Sequence, residues 1–465
     1  MNSVKRASIL VLLVLTAISC VSQPGSPSTV SVTGIPATQA SVSQPDAIEL
    51  SEKFHGLLIK QDYANAVGLF DQTMQSALPE NKLKEIWDGL QQQFGAYQGS
   101  LKAKPVEHIQ QYERITIPLQ FEKMTLDMQV AVDSNTGQIS GLFFKPSQDA
   151  LAQQYKTPAY VDPNAFEERE ITIGADPWKL PGTLTLPKGQ GPFPAVVLGH
   201  GSGPNDRDET VGANKPFKDI AQGLASRGVA VLRYDKRTKV YGDVMAKLSG
   251  ELTAKEETID DAVAAVDVLR NTPGIDPKKI FVLGHSLGGY LAPRIAQADP
   301  NIAGLVILAG PTRPLEDLML EQTRYILESD GSLSAQDQLQ IGQIQQQVEA
   351  VKALTAQSSS KDSLLGAPVS YWLDLKNYRP AELASKLSIP MLFLQGERDY
   401  QVTLQDLQGW KQALAGKANA QIKSYSDLNH LFMSGTEKST PAEYQIPGNV
   451  SARVIEDIAA WAKAR

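Results

Sequence analysis

Continuous apolar runs recur through the latter part of the chain: AVVLGH (195–200), VAVLRYD (229–235), IFVLGH (280–285), LVILAG (305–310) and MLFLQG (391–396). Runs of this length suit parallel strands buried on both faces. Between them apolar positions recur at helical spacing, from Ile220 to Arg227 and at Ile259, Val263, Val266 and Leu269. EITIG (170–174) and GTLTLP (182–187) alternate and predict two opening antiparallel strands. QIKSY (421–425) predicts a last strand and residues 449–465 a closing helix. The pattern implies a doubly wound, mostly parallel α/β sheet over residues 166–465.

The pattern is different upstream. Leu50, Phe54, Leu57 and Leu58 mark one helical face, Ala64, Val67 and Phe70 a second, and Leu83, Ile86, Trp87 and Leu90 a third. Short alternating segments follow, RITIPLQF (114–121), TLDMQVAVD (125–133) and QISGLFF (138–144), with SNTG as a turn. Helices followed by a meander predict a small α+β domain over residues 48–146, joined by a polar segment, 147–165. Residues 20–47 are rich in Ser, Pro, Thr and Gly and read as a flexible linker.

One connection in the α/β domain is far too long. Eighty residues separate Gly310 from Met391, and they carry helical stripes such as Leu315, Leu318, Tyr325 and Ile341, Ile344, Val348, Val351. Long insertions in compact domains are usually functional. This one is expected to be a helical cap, about 313–388, over the carboxyl edge of the sheet; the alternative is a brace that touches no substrate.

Composition narrows the classes. A net charge of −7 and the lack of a basic stripe give no footprint for nucleic acid. The single cysteine, Cys20, rules out an intramolecular disulfide. It follows Lys5, Arg6 and an apolar run, Ala7–Ser19, too short to span a membrane and suited to a signal peptide. Ala17-Ile18-Ser19-Cys20 resembles a bacterial lipobox. The resemblance implies a signal peptide over 1–19, a lipid anchor on Cys20, export, and a membrane-anchored place in the cell envelope. An ordinary secretory signal is the alternative, and it too exports the protein.

Candidate chemistry centres on Gly284-His285-Ser286-Leu287-Gly288-Gly289, where a buried strand must turn into a helix. A serine nucleophile needs a base, an acid to orient it, and donors for an oxyanion. Of the five histidines, His55 and His108 lie in the small domain, His200 ends a strand, and His285 belongs to the turn. His430, after the last predicted strand, remains as the base. Glu397 and Asp399 both follow the strand 391–396. Asp399 is preferred, because Glu397 sits too close to the strand end. The backbone N–H of Leu287 is the first expected oxyanion donor. The second is Ser202, with Gly201 as the alternative, in the glycine-rich loop 200–204. Asp206, Arg207, Asp208, Asp235 and Arg237 form either a network that shapes this loop or solvated surface pairs.

The stretches GHGSGPNDRDE, RYDKR, GHSLGG, GERDYQV and NHLF make residues 166–465 similar to the serine esterases of the α/β-hydrolase superfamily, in the dienelactone-hydrolase-like and carboxylesterase group. The small domain resembles a domain of unknown function found ahead of some bacterial α/β-hydrolases. The resemblance implies a carboxylic-ester hydrolase working through an acyl-enzyme on Ser286, without cofactor or metal. The partners implied are a small-molecule ester and, through Cys20, a membrane. A thioesterase or peptidase would use the same triad. A cell-envelope binding or scaffold protein is the alternative of another class.

Overall fold

The computed structural model describes residues 46–109, 111–247, 252–329, 331–358 and 363–465. The expected signal peptide, Cys20 and nearly all of the expected linker lie outside them. The chain divides into two units, one ending at Leu151 and the other running from Ala152 to Arg465.

In the first unit, helices Ala47–Ile59, Tyr63–Val67, Gln72–Ala77 and Glu80–Phe94 precede an antiparallel sheet. Strands Tyr112–Phe121 and Thr125–Asp133 are paired in register, Ile115 opposite Val130 and Ile117 opposite Met128. Period-2 alternation turns Ile115, Ile117, Leu119, Leu126, Met128 and Val130 to one face, where they bury with Phe54, Leu58, Leu83 and Trp87. Helix 80–94 buries only Leu83 and Trp87 of its apolar positions, and Ile86 stays exposed.

The second unit is built on strands β1 (Phe166–Ile173), β2 (Leu180–Pro187), β3 (Phe193–Gly199), β4 (Ala230–Tyr234), β5 (Ile275–His285), β6 (Gly304–Leu308), β7 (Met391–Gly396) and β8 (Ala420–Tyr425). Among the described residues they form one eight-stranded sheet in the order β1-β2-β4-β3-β5-β6-β7-β8. The β1–β2 and β2–β4 pairs are antiparallel, and every later pair is parallel.

Successive residues of each buried strand feed opposite layers. Val197, Leu232, Val282, Ile307 and Phe393 pack under α2 (Asp260–Arg270) and α3 (Leu287–Ala298). Val196, Val231, Phe281, Val306 and Leu392 pack under α1 (Pro216–Ala225) and a closing helix, Ala452–Lys463. Burial on both faces is why these strands read as unbroken apolar runs.

Three details go beyond the sequence reading. Part of the polar segment 147–165 is bonded to the second unit: Tyr155 donates to Asp219 on α1 (2.7 Å), and Tyr160 to the Val450 carbonyl (2.8 Å). The insertion after β6 forms α4 (Leu315–Leu327), α5 (Ala335–Ala353) and α6 (Val369–Leu375). It ends before 388, because α7 (Pro380–Ala384) returns to the sheet, with Ala384 buried in the main core beside Trp410. The α5 stripe does not face the catalytic domain. Val348 and Val351 bury with Leu354, Leu365, Val369 and Trp372, so they make the insertion's own core.

Candidate active site

Strand β5 delivers Ser286 at a strained turn. Its φ is +51° and ψ −114°, outside the regions that side-chain-bearing residues favour. A side chain at Gly284 would collide with the Gly288 backbone, and one at Gly288 with the Gly199 carbonyl. Glycine at both lets strand, turn and helix approach this closely. From Ile280 to Pro293 every residue is buried except Ser286. Leu287 opens α3, where first-turn N–H groups have no intrahelical acceptor.

Asp399 lies just beyond β7 and His430 beyond β8. His430 Nδ1 is 2.7 Å from Asp399 Oδ2, and both side chains are buried. Asp399 also accepts from Gln395 Nε2 (3.1 Å) and from the N–H groups of Gln401 (2.8 Å) and Val402 (3.0 Å). Glu397 is exposed and accepts from Ser424 Oγ (2.7 Å). The turn at His430 is pinned by Asn429 Oδ1, which accepts from the N–H groups of Leu431 (3.0 Å) and Met433 (3.1 Å).

The loop after β3 lies against Ser286: a side-chain carbon at Gly201 would sit 3.3 Å from Ser286 Cβ. The Gly201 N–H donates to Glu209 Oε1 (2.6 Å). It is therefore already committed and is not the free oxyanion donor the sequence offered as an alternative. The Ser202 N–H has no acceptor among the described residues.

The sequence missed the buried charges beneath this site. His285, the residue before Ser286, donates through Nε2 to the His430 carbonyl (3.0 Å) and faces Glu209 Oε2 through Nδ1 (2.8 Å). Burial alone would lower the His285 pKa, but the Glu209 charge and its contact raise it above the ordinary histidine value. The two nitrogens thus suit an imidazolium. Burial pushes the Glu209 pKa up, and His285, with the Gly201 N–H, more than reverses this, so the carboxyl stays below its usual range. Burial pushes His200 down to about 4, a neutral ring packed 5.1 Å from both Phe217 and Tyr234. Lys236, 1% exposed, donates to the Gly201 carbonyl (2.9 Å) and to Glu257 (2.6 Å) on a π-helical turn, Lys255–Ile259. The signals for Lys236 were its place at the end of an apolar strand run and within RYDKR.

The predicted charged cluster divides. Arg207 grips Asp235 through its backbone N–H (2.8 Å) and guanidinium (3.1 Å), and Asp208 accepts from Arg233 (2.9 Å). Asp206 folds its own loop by accepting from the Thr210 N–H (2.9 Å). Arg237 leaves this group and pairs with buried Asp261.

The insertion borders the site on two sides. Tyr325 of α4 stacks on Tyr400, next to Asp399, at 4.8 Å and 7°. Tyr371 and Leu375 of α6 bury with Leu287, Tyr290 and Leu291 in the first turns of α3.

Similarity to known proteins shows the family. Over 406 residues, 87% of this chain and 92% of the relative, the sequence is 41% identical to Esterase EstD of Thermotoga maritima. The chain belongs to the esterases of the α/β-hydrolase superfamily. It is a carboxylic-ester hydrolase. This esterase also matches the family model described as Serine aminopeptidase, S33, over residues 211–437, and that of a protein of unknown function, DUF3887, over 51–142. It is 28% identical to Esterase FrsA of Klebsiella pneumoniae over 35% of this chain and 36% of that one. Among solved structures it is similar to Est1E from Butyrivibrio proteoclasticus, with TM-score 0.40 and 16% identity, covering 64% of this chain and 99% of that one.

Proposed function

We propose that the esterase acts through an acyl-enzyme on Ser286, with His430 as base and Asp399 as the group that orients it. The Ser286 Oγ attacks the ester carbonyl carbon as its proton passes to His430 Nε2. The carbonyl electron pair moves onto oxygen, which the N–H groups of Leu287 and Ser202 receive. Collapse breaks the acyl–oxygen bond, and His430 returns the proton to the departing alkoxide. Water then repeats the sequence against the acyl-Ser286 ester and releases the acid. The observation that carries this reading is the buried 2.7 Å contact between His430 and Asp399, with the His430 carbonyl held by His285, the residue before the strained Ser286.

A peptidase reading has one specific support, the match to a serine aminopeptidase model. The ester reading is favoured by the EstD similarity across most of both chains. A thioester would fit the same groups. Measuring kcat/KM on matched p-nitrophenyl esters, anilides and thioesters separates the three. Ester turnover that vanishes in Ser286→Ala supports the proposal. Ester turnover retained in that variant overturns it.

The esterase is further proposed to be exported and tethered by a lipid on Cys20. The charged start, apolar run and Ala17-Ile18-Ser19-Cys20 support this. Among the described residues no helix is long and apolar enough to cross a membrane.

A further inference from the structure

The loop after β3 is held by charged groups for which the proposed acyl transfer has no direct use. Gly201 is bound at both of its backbone groups. Its N–H donates to Glu209 (2.6 Å), and its carbonyl accepts from Lys236 Nζ (2.9 Å) and Asn205 Nδ2 (3.1 Å). Asn205 Nδ2 also reaches the Ser202 carbonyl (3.1 Å). Lys236 and Glu209 are 1% and 3% exposed. Burying an ammonium is costly even when it is paired, as here with Glu257 (2.6 Å), and apolar packing could fill the same volume more cheaply. That cost points to a task.

Peptide geometry supplies the task. In a trans peptide the carbonyl of one residue and the N–H of the next lie in one plane and point in opposite directions. The Gly201–Ser202 bond is not one of the cis bonds. Drawing the Gly201 carbonyl toward Lys236 and Asn205 therefore turns the Ser202 N–H the other way, where no protein acceptor meets it among the described residues. The ammonium also polarises this peptide and strengthens the N–H as a donor. Glu209 fixes the preceding plane and, through its contact with His285, ties the loop to the nucleophile strand.

We propose that Lys236 is the positioning residue of the oxyanion hole, acting with Asn205 and Glu209 to clamp Gly201 so that the Ser202 N–H is aimed before substrate arrives. This rests on the reading of Ser286 and Ser202 as partners in one acyl transfer. A group that acts only on a transition-state donor moves kcat and leaves KM.

The test uses the full chain, with Lys236→Met and Asn205→Asp. The measurements are kcat and KM on p-nitrophenyl butyrate, the rate of inactivation by a fluorophosphonate, and the melting temperature. Lys236→Met is expected to lower kcat about 10- to 100-fold with KM within about threefold, and to slow fluorophosphonate inactivation in parallel. Asn205→Asp loses two donors and sets a carboxylate against two carbonyls, so it moves kcat in the same direction by at least about threefold. Folded Lys236→Met with wild-type kcat overturns the proposal. If Lys236→Met does not fold, wild-type kcat in the half-buried loop variant Asn205→Asp overturns it alone. Activity retained in Ser286→Ala would instead remove the reading beneath it. An inactive Ser286→Ala beside unaffected clamp variants removes only the clamp.

Discussion

Asp399 reaches His430 from the end of a neighbouring strand, Oδ2 to Nδ1 at 2.7 Å, while Glu397, two residues earlier, turns outward to Ser424. The strand pairing brings the two strand ends together: Gly396 lies opposite Tyr425, and a side chain at Gly396 would collide with the Leu428 carbonyl. Asparagine at 399 would still fill the space but would favour the wrong imidazole tautomer. Asp399→Asn is expected to lower kcat between about 10²- and 10⁴-fold, and Glu397→Gln to stay within about threefold of wild type. Steady-state kinetics of the two variants checks the assignment; the reverse ranking would move the acid to Glu397.

The Glu209–His285 pair predicts a pH signature. The folded pKa of His285 is raised, so its contribution to stability is present below the ordinary histidine value, about 6.5, and is lost as pH rises through the folded value. The folded pKa of Glu209 is lowered, so its contribution is present above about 4.3 and is lost as pH falls through the folded value. The stability that Glu209→Gln removes is therefore largest between about pH 4.3 and 6.5 and shrinks at higher pH. Melting temperatures of both proteins across this range provide the check. A gap that stays constant from about pH 5 to 8 would mean the pair is not charged.

The insertion separates bracing from specificity. Val348 lies in the insertion's own core, so Val348→Ala is expected to lower stability by about 1 kcal/mol or more without changing the ranking of ester chain lengths. Tyr371 and Leu375 pack on the first turns of the nucleophile helix, so Leu375→Ala is expected to shift that ranking. Each methylene gained or lost in contact is worth about 1–3 kcal/mol in kcat/KM. A series of p-nitrophenyl esters from acetate to decanoate distinguishes the two variants. A uniform loss across the series in Leu375→Ala would make this part of the insertion a brace as well.

Much of this was legible because burial on both sheet faces writes itself as unbroken apolar runs. Val196 and Val197 are both buried, one in each layer, and no alternation is needed to see the strand. The strained turn at Ser286 was legible because only glycine fits at Gly284 and Gly288. Lys236, Glu209 and Glu257 were not legible, since each reads as a solvated charge until the topology brings β3, β4 and the π-helical turn together. The α5 stripe showed that a face would be buried. Periodicity carries no information about the partner, which is the insertion's own Trp372 and Leu365.

The proposed lipid anchor on Cys20 predicts a change of location without a change of chemistry. Cys20→Ser, expressed in a bacterium with a lipoprotein pathway, is expected to leave the membrane fraction while keeping wild-type kcat on a soluble ester. Fractionation with mass spectrometry of the amino terminus is the check. Membrane retention by the variant, with an unlipidated wild type, would contradict the anchor.

The central claim is that the acyl group passes through Ser286. Rapid mixing with p-nitrophenyl acetate, acid quench and peptide mass spectrometry tests it most directly. A burst of nitrophenol, with an acetyl group on the peptide containing Ser286 and none in Ser286→Ala, is the predicted result. Turnover with an acetyl group on another residue, or with Ser286→Ala still active, would contradict it.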